Sequence, residues 1–447
     1  MKEINFTHGG ITGKMVMFAW PMIAGNFLQQ LYNVTDTVIV GKYLGANALA
    51  AVGSAYALMT FITSILLGLS LGSGAVFSIR FGEQNWTKLK NDAVAAFVLI
   101  AVITVIINIV VFAAIELILT LMIVPETVRP LMRTYLSGIF WGIGAVFIYN
   151  FFASLLRAVG DSLSPLIFLG VAAAVNIVLD LWFVVGLEWG VAGAAWATVI
   201  AQWMAAAGIA LFMFLKKPEL RIKPGEIRFN MKSVKNVFAE SGLTCMQQSV
   251  MNFGILMVQG LVNSFGATVM AAFAVAVKIE SFAYMPLQDM GNAFATFAAQ
   301  NYGAGKWERI RKGISSATRI MLCFSLPVAV AVVFFAEELL LIFIRPEEKE
   351  IMNAGVEYLR IVGPFLALIG GLFILYGLFR AVNRPGISLV LTIISLGTRV
   401  ALAYILSSFD SIGVHGIWWA VPIGWLLADV AGIAMWRRYC RNCTGVI

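Results

Sequence analysis

Two carboxylates, an amide and a hydroxyl stand where they could hold a small positive ion inside an apolar chain: Asp36, Asn176, Asp180 and Thr198. Asn176 and Asp180 are spaced i, i+4, which puts both on one face of a helix. Asp36 belongs to the run from Asn26 to Gly41. There Asn26, Gln29, Gln30, Asn33, Asp36 and Thr37 share an arc of roughly 120° if the run is helical. Lipid cannot face such a stripe, because each unpaired amide or carboxylate in hydrocarbon costs on the order of kcal/mol. It must face other helices or a water-filled cavity. Oxygen donors of this kind suit a hard monovalent cation such as Na+, and close carboxylates suit a proton equally well. The alternative is that both acids only hydrogen-bond neighbouring helices; the absence of basic residues at the same depth in the first half argues against plain ion pairs. A polar-neutral wall with soft apolar filler, fit for an amphipathic ligand, is available from Gln29, Tyr32, Asn33, Tyr56, Met59, Asn150 and Asn176. Tyr32 and Tyr56 could also take a cation on the ring face.

The elements that must position these groups are membrane helices. The chain has 447 residues, 60% hydrophobic and 12% charged. Its mean hydropathy is +0.89. Soluble domains average about 25% charged residues, so this composition indicates an all-α polytopic membrane protein. Apolar spans are expected near 14–40, 48–78, 92–123, 130–156, 164–187 and 191–215. They resume near 234–264, 268–300, 314–344, 352–380, 386–408 and 414–436. The expected organisation is an N-terminal six-helix lobe over 1–215, a basic linker over 216–233 and a C-terminal six-helix lobe over 234–447. The polar start leads into a long apolar segment with no cleavage pattern, so the first helix is expected to stay.

The net charge of +8 is not spread as nucleic-acid binding requires. Lysine and arginine concentrate in alternate loops and in the linker, the positive-inside pattern, which predicts a multi-pass protein with cytoplasmic termini. No nucleic-acid partner is expected; membrane lipid is, and a monomer. Four cysteines and two histidines give no ligand cluster, and the Cys440-x-x-Cys443 pair lacks a matching second pair. With Asp36, Asp180 and Thr198 about five, six and seven residues from the outer ends of their spans, a rise of about 1.5 Å per residue puts them at one level in the outer half of the membrane.

The halves repeat. Gly82-Glu-Gln-Asn-Trp86-Thr-Lys88-Leu-Lys90 matches Gly303-Ala-Gly-Lys-Trp307-Glu-Arg309-Ile-Arg311 at an offset of about 221 residues. A slightly larger offset superposes Leu156-Arg157-Ala158-Val159 on Phe379-Arg380-Ala381-Val382, and Gly190-Val-Ala-Gly193 on Gly413-Val-His-Gly416. Six spans per half give a parallel repeat, with its axis along the membrane normal. Such duplication is the usual build of a secondary transporter working by alternating access, and no phosphate-binding loop or metalloprotease motif points to an ATP-driven machine or an enzyme. The repeat does not share its acid: Asp36 falls opposite Met257.

Tyr32-Asn-Val-Thr-Asp36-Thr-Val-Ile-Val-Gly41, Leu156-Arg157-Ala158-Val159-Gly160-Asp161, Asn176-Ile-Val-Leu-Asp180 and Gly190-Val-Ala-Gly193-Ala-Ala-Trp-Ala-Thr198 together resemble the multidrug and toxic compound extrusion (MATE) family. The resemblance spans nearly the whole chain. It implies twelve helices in two pseudo-symmetric lobes and export of amphipathic, often cationic compounds coupled to Na+ or H+, with no other cofactor. It also implies a cation site at Asp36, Asn176, Asp180 and Thr198, a neighbouring tyrosine at Tyr32, and a first helix that bends. In some branches decisive acids lie in the second lobe, whereas the seventh span here carries uncharged Thr244, Gln247, Gln248, Asn252 and Gln259. A flippase of lipid-linked precursors, the rival in the wider superfamily, should have a more basic cavity. Among the remaining charges, Lys278, Glu280 and Arg399 are expected to form a neutralising structural cluster, the alternative being a second coupling or substrate site in the C-terminal lobe; Glu357 is expected to pair with Arg360, and Asp429 has no evident partner.

Overall fold

Sixteen α-helices follow one another, and no strand occurs among the described residues. The structure is a computed structural model that describes residues 4–122, 124–221 and 231–443. The central part of the expected linker, 222–230, and the extreme termini lie outside the described residues.

The first half comprises α1 (Thr12–Leu44), α2 (Ala46–Gly82), α3 (Trp86–Ala113), α4 (Ile115–Leu121), α5 (Arg129–Ile139), α6 (Ile143–Ala158), α7 (Leu163–Asp180) and α8 (Gly190–Lys216). The second comprises α9 (Met231–Asn263), α10 (Ala267–Gly303), α11 (Trp307–Phe334), α12 (Ala336–Leu341), α13 (Lys349–Val362), α14 (Leu366–Ala381), α15 (Pro385–Ser407) and α16 (His415–Cys443). Short turns join α5 to α6 and α13 to α14, so each pair makes one span. Counted so, ten helices are long and apolar enough to cross a membrane. The leading helices α1 and α9, each 33 residues long, complete the expected twelve. Their amides and charges keep them out of the apolar class.

The repeat is written into the backbone as well as the sequence. Left-handed residues recur in register: Gly45 with Gly266, Gln84 with Gly305, Gly160 with Asn383, and Gly190 with Gly413. At Gly160 the requirement is twofold. Its φ is +94°, and a Cβ there would stand 2.2 Å from the carbonyl oxygen of Ile4, whose own N–H donates to Gly160 O at 3.1 Å. Side-chain capping is less symmetric. Asn85 accepts from Lys88 N at 3.0 Å to start α3, whereas Lys306 in the matching place provides no cap for α11. Asn85→Ala is expected to cost about 1 kcal/mol, read as a lower unfolding midpoint in detergent.

Two compact units emerge: Met1–Asn5 with Trp20–Cys245, and Phe6–Ala19 with Met246–Ile447. They do not coincide with the sequence halves, because the opening of α1 belongs to the second unit and the opening of α9 to the first. α1 is divided next to Pro21. Lipid tails give little hydrophobic drive between helices, so close packing at small residues does that work. In the first unit a Cβ on Gly68 would lie 2.6 Å from Cys245 Cα, and one on Gly72 would lie 2.5 Å from Ser241 Cα. In the second unit the Phe6 ring stands edge-on to Phe18 and Phe297, and Arg309 donates to the carbonyls of Phe6 and Gly9 at 2.9 and 3.1 Å.

One expected ion pair is absent. Glu357 contacts His415 at the start of α16, and Arg360 reaches Glu337 at 3.7 Å. Partners on neighbouring helices displace the i, i+3 contact within α13.

Candidate cation site

All four proposed ion ligands fall in the first unit, on α1, α7 and α8. Asp36 and Thr198 stand about 12 Å along their helices from the ends at Leu44 and Gly190, two turns in. Asp180 closes α7, and a π-helical turn, Leu181–Gly186, follows it directly. Such turns are rare and frequent at functional sites. The matching helix α15 runs on to Ser407 without one. Gly193 of α8 lets that turn approach closely, since a Cβ there would lie 3.1 Å from the Phe183 backbone.

The Asp36 and Asp180 carboxyls lie against each other. Asp180 is fully buried and Asn176 is 2% exposed, whereas Asp36 is half-buried. Asn176 Nδ2 donates to Thr198 Oγ1 at 3.4 Å, and that hydroxyl donates to Ala194 O at 3.0 Å. Thr198 therefore orients the Asn176 amide and leaves its oxygen free. Four buried oxygens, Asp36 Oδ1, both of Asp180 and Asn176 Oδ1, have no hydrogen-bond donor. Two unit charges about 4 Å apart repel by about 4 kcal/mol at an effective dielectric of about 20, so a bare pair calls for a positive partner. A proton needs only the two carboxyls. Na+ could use the Asn176 oxygen as well.

Two tyrosines stand near the acids. Tyr32 is in electrostatic contact with Asp36, Asp180 and Tyr56 and hydrogen-bonds Gln29. Tyr135 of α5, 6% exposed, faces Asp36, Asp180 and Tyr32. Of the other wall residues, Asn33 donates to Gln30 Oε1 at 3.4 Å, Met59 is buried in the core of the unit, and Asn150 donates back to Val146 O within α6.

A family profile fits the chain twice, once in each half: MatE matches residues 21–182 and 244–405. The chain belongs to the MatE family. A probable multidrug resistance protein of Bacillus subtilis, YpnP, is 30% identical over 444 residues, covering 99% of this chain and 98% of the relative. A FAD transporter of Shewanella oneidensis is 24% identical, covering 92% and 91%. A solved multidrug resistance MATE family transporter of the MOP superfamily, in an outward-facing conformation, shares the fold with a TM-score of 0.92. It is 24% identical and covers 100% of this chain and 99% of its own. As a MatE protein the chain is a multi-pass membrane transporter and not an enzyme.

Tyr135 is the residue that sequence reasoning missed in this MatE chain. It sits on an amphipathic segment split from the rest of its span, where a tyrosine reads as packing. The signal lay in the repeat, since Tyr358 occupies the matching place. Tyr135→Phe keeps the ring and removes one hydroxyl beside the acids. Loss of a polar group in electrostatic contact with both acids predicts cation-driven export slowed by less than about tenfold, under about 1.4 kcal/mol, with unchanged thermal stability as the control.

The remaining deep charges fall in the second unit. Tyr358 OH donates to Glu280 Oε2, and Arg399 is in electrostatic contact with both. Lys278 is exposed and stands outside this group. Asp429 packs against Gly371 and lies near Tyr376, with Oδ1 buried and without a donor.

Proposed function

We propose that this MatE chain exports amphipathic, often cationic compounds across a prokaryotic cytoplasmic membrane, driven by entry of Na+ or H+ through alternating access, with both termini cytoplasmic. The observation that carries the reading is the set of four buried, donorless oxygens at Asp36, Asp180 and Asn176. The multidrug name of the Bacillus relative supports the substrate class, as does the Tyr32 ring near both acids. A cation held between Asp36 and Asp180 would tie α1 to α7. Coupling follows if that tie favours one conformation and the bound compound the other, because only differential affinity shifts an equilibrium. α1 is the helix to move: it carries the acid and is divided between units next to Pro21.

Vesicles carrying the protein and loaded with a cationic dye provide the test, with Na+ and pH gradients imposed one at a time. Dye movement driven by one gradient, and not by the other, is the expected result. Movement under neither gradient overturns the antiport reading.

A further inference from the structure

The repeat offsets lay the second lobe over the cation site residue by residue. The offset that carries Arg157 onto Arg380 and Gly190 onto Gly413 carries Tyr135 onto Tyr358, Asn176 onto Arg399, Asp180 onto Ala403 and Thr198 onto Val421. The offset that carries Gly45 onto Gly266 takes Met59 to Glu280 and Asp36 to Met257. The second lobe therefore holds a tyrosine and a guanidinium at the places of Tyr135 and Asn176, no acid at those of Asp36 and Asp180, and its own acid, Glu280, at that of Met59. Tyr358 hydrogen-bonds Glu280, and Arg399 is in electrostatic contact with both, its Nε buried without an acceptor, so the three form one group and not a scattered set of charges.

We propose that the second lobe carries a self-occupied copy of the cation site, in which the tethered guanidinium of Arg399 takes the place of the exchangeable ion and Glu280 is its counter-charge. The copy is walled off. Tyr358 is fully buried, Glu280 is 7% and Arg399 9% exposed, and Ala403 and Val421 leave no second acid or hydroxyl in place. Phe273 stacks on Trp418 and stands edge-on to Tyr358, and Tyr284 is in electrostatic contact with Tyr358, which closes the surroundings with rings. Gly424 admits the stem of Arg399, since a Cβ there would lie 3.3 Å from Arg399 Cβ. α15, which carries Arg399, lacks the π-helical turn that follows Asp180. A charge on a covalent stem cannot leave, so this lobe stays in one electrostatic state through the cycle and one exchangeable cation remains per chain. The inference rests on the reading of Asp36 and Asp180 as the exchangeable site, and it adds that Arg399 is what silences the second one.

Cation uptake by the purified full-length protein tests this, with 22Na+ and protons as probes, the latter followed by a pH-indicator dye. Asp36→Asn is expected to lose uptake, and Asp36→Asn/Arg399→Asn to regain one cation per chain through the freed Glu280. Adding Glu280→Gln to that pair is expected to remove it again. A folded, monodisperse double variant that takes up no more than Asp36→Asn alone overturns the proposal. The gain on removing Arg399 is read against Asp36→Asn whatever that variant retains, so failure of the first-lobe assignment shows separately, as unreduced uptake in Asp36→Asn itself. Glu280→Gln alone would strand a buried guanidinium, so the neutral pair Glu280→Gln/Arg399→Asn is the second arm. It should keep gradient-driven efflux within about twofold of wild type, under about 0.4 kcal/mol at 1.4 kcal/mol per tenfold. Loss of coupling in that pair, with uptake at Asp36 intact, also overturns the proposal, since the second lobe would then belong to the cycle.

Discussion

Asp36→Asn is expected to reduce gradient-driven export to the background of empty vesicles, without loss of the folded protein. The amide is isosteric and can accept from or donate to Asp180, so α1 and α7 keep their contact. What disappears is the second negative charge, and with it the electrostatic reason for a cation to enter between two helices. Coupling free energies between linked sites run from about 1 to 3 kcal/mol, or about 5- to 150-fold in affinity. Removing that coupling should leave bound compound insensitive to Na+ and pH within error. The measurement is dye binding to purified protein at several Na+ concentrations and pH values, beside vesicle efflux. Asp180→Asn should behave alike, because both acids share the ion. A variant that keeps cation-sensitive binding would place the coupling elsewhere.

The second large effect is structural. Gly72→Leu puts a branched side chain where even a Cβ would stand 2.5 Å from Ser241 Cα and 3.0 Å from Thr244 Oγ1. Backbone cannot yield as a side chain can, so α2 and the opening of α9 must separate. Overpacking a well-filled core costs about 1–3 kcal/mol, and parting two helices should exceed that range. Little folded protein is expected, with a fluorescent C-terminal fusion on size-exclusion chromatography as the readout. Gly53→Leu on the same helix meets nothing within 4 Å and serves as the control. Equal yields of the two variants would refute the packing argument.

Much of the architecture was legible because lipid simplifies the code: apolar runs of sufficient length must be helices. α1 and α9 were found from the sequence even though their polar content weakens the hydropathy signal. The repeat was equally plain, because Trp86 and Trp307 with their basic neighbours recur at the matching starts of α3 and α11. The acids were legible for the same reason as the helices, since charge at membrane depth is costly and therefore conspicuous. Tyr135 was not, because an aromatic residue on an amphipathic helix has an ordinary use in packing. Nor was Thr198's task of turning the Asn176 amide, which depends on a rotamer and not on residue type. The Glu357 pairing failed because i, i+3 spacing competes with partners on other helices, here His415. The division of the units at Ala19 and Cys245 left no trace in composition, since both points lie inside continuous helices.

That division bears on how the protein is made. The nascent chain delivers α2 to the membrane early, yet the close partners of Gly68 and Gly72 are Cys245 and Ser241 of α9. The leading lobe thus waits, incomplete, until the ribosome has passed the opening of the trailing one. A polypeptide terminated before α9 would leave the Gly68–Gly72 surface of α2 without these partners. The complementary fragment, begun there, would lack the Phe6 and Phe18 rings that pack on Phe297. A cut after Cys245 would still leave the second fragment without those rings, so no single cut gives both pieces their full set of packing partners.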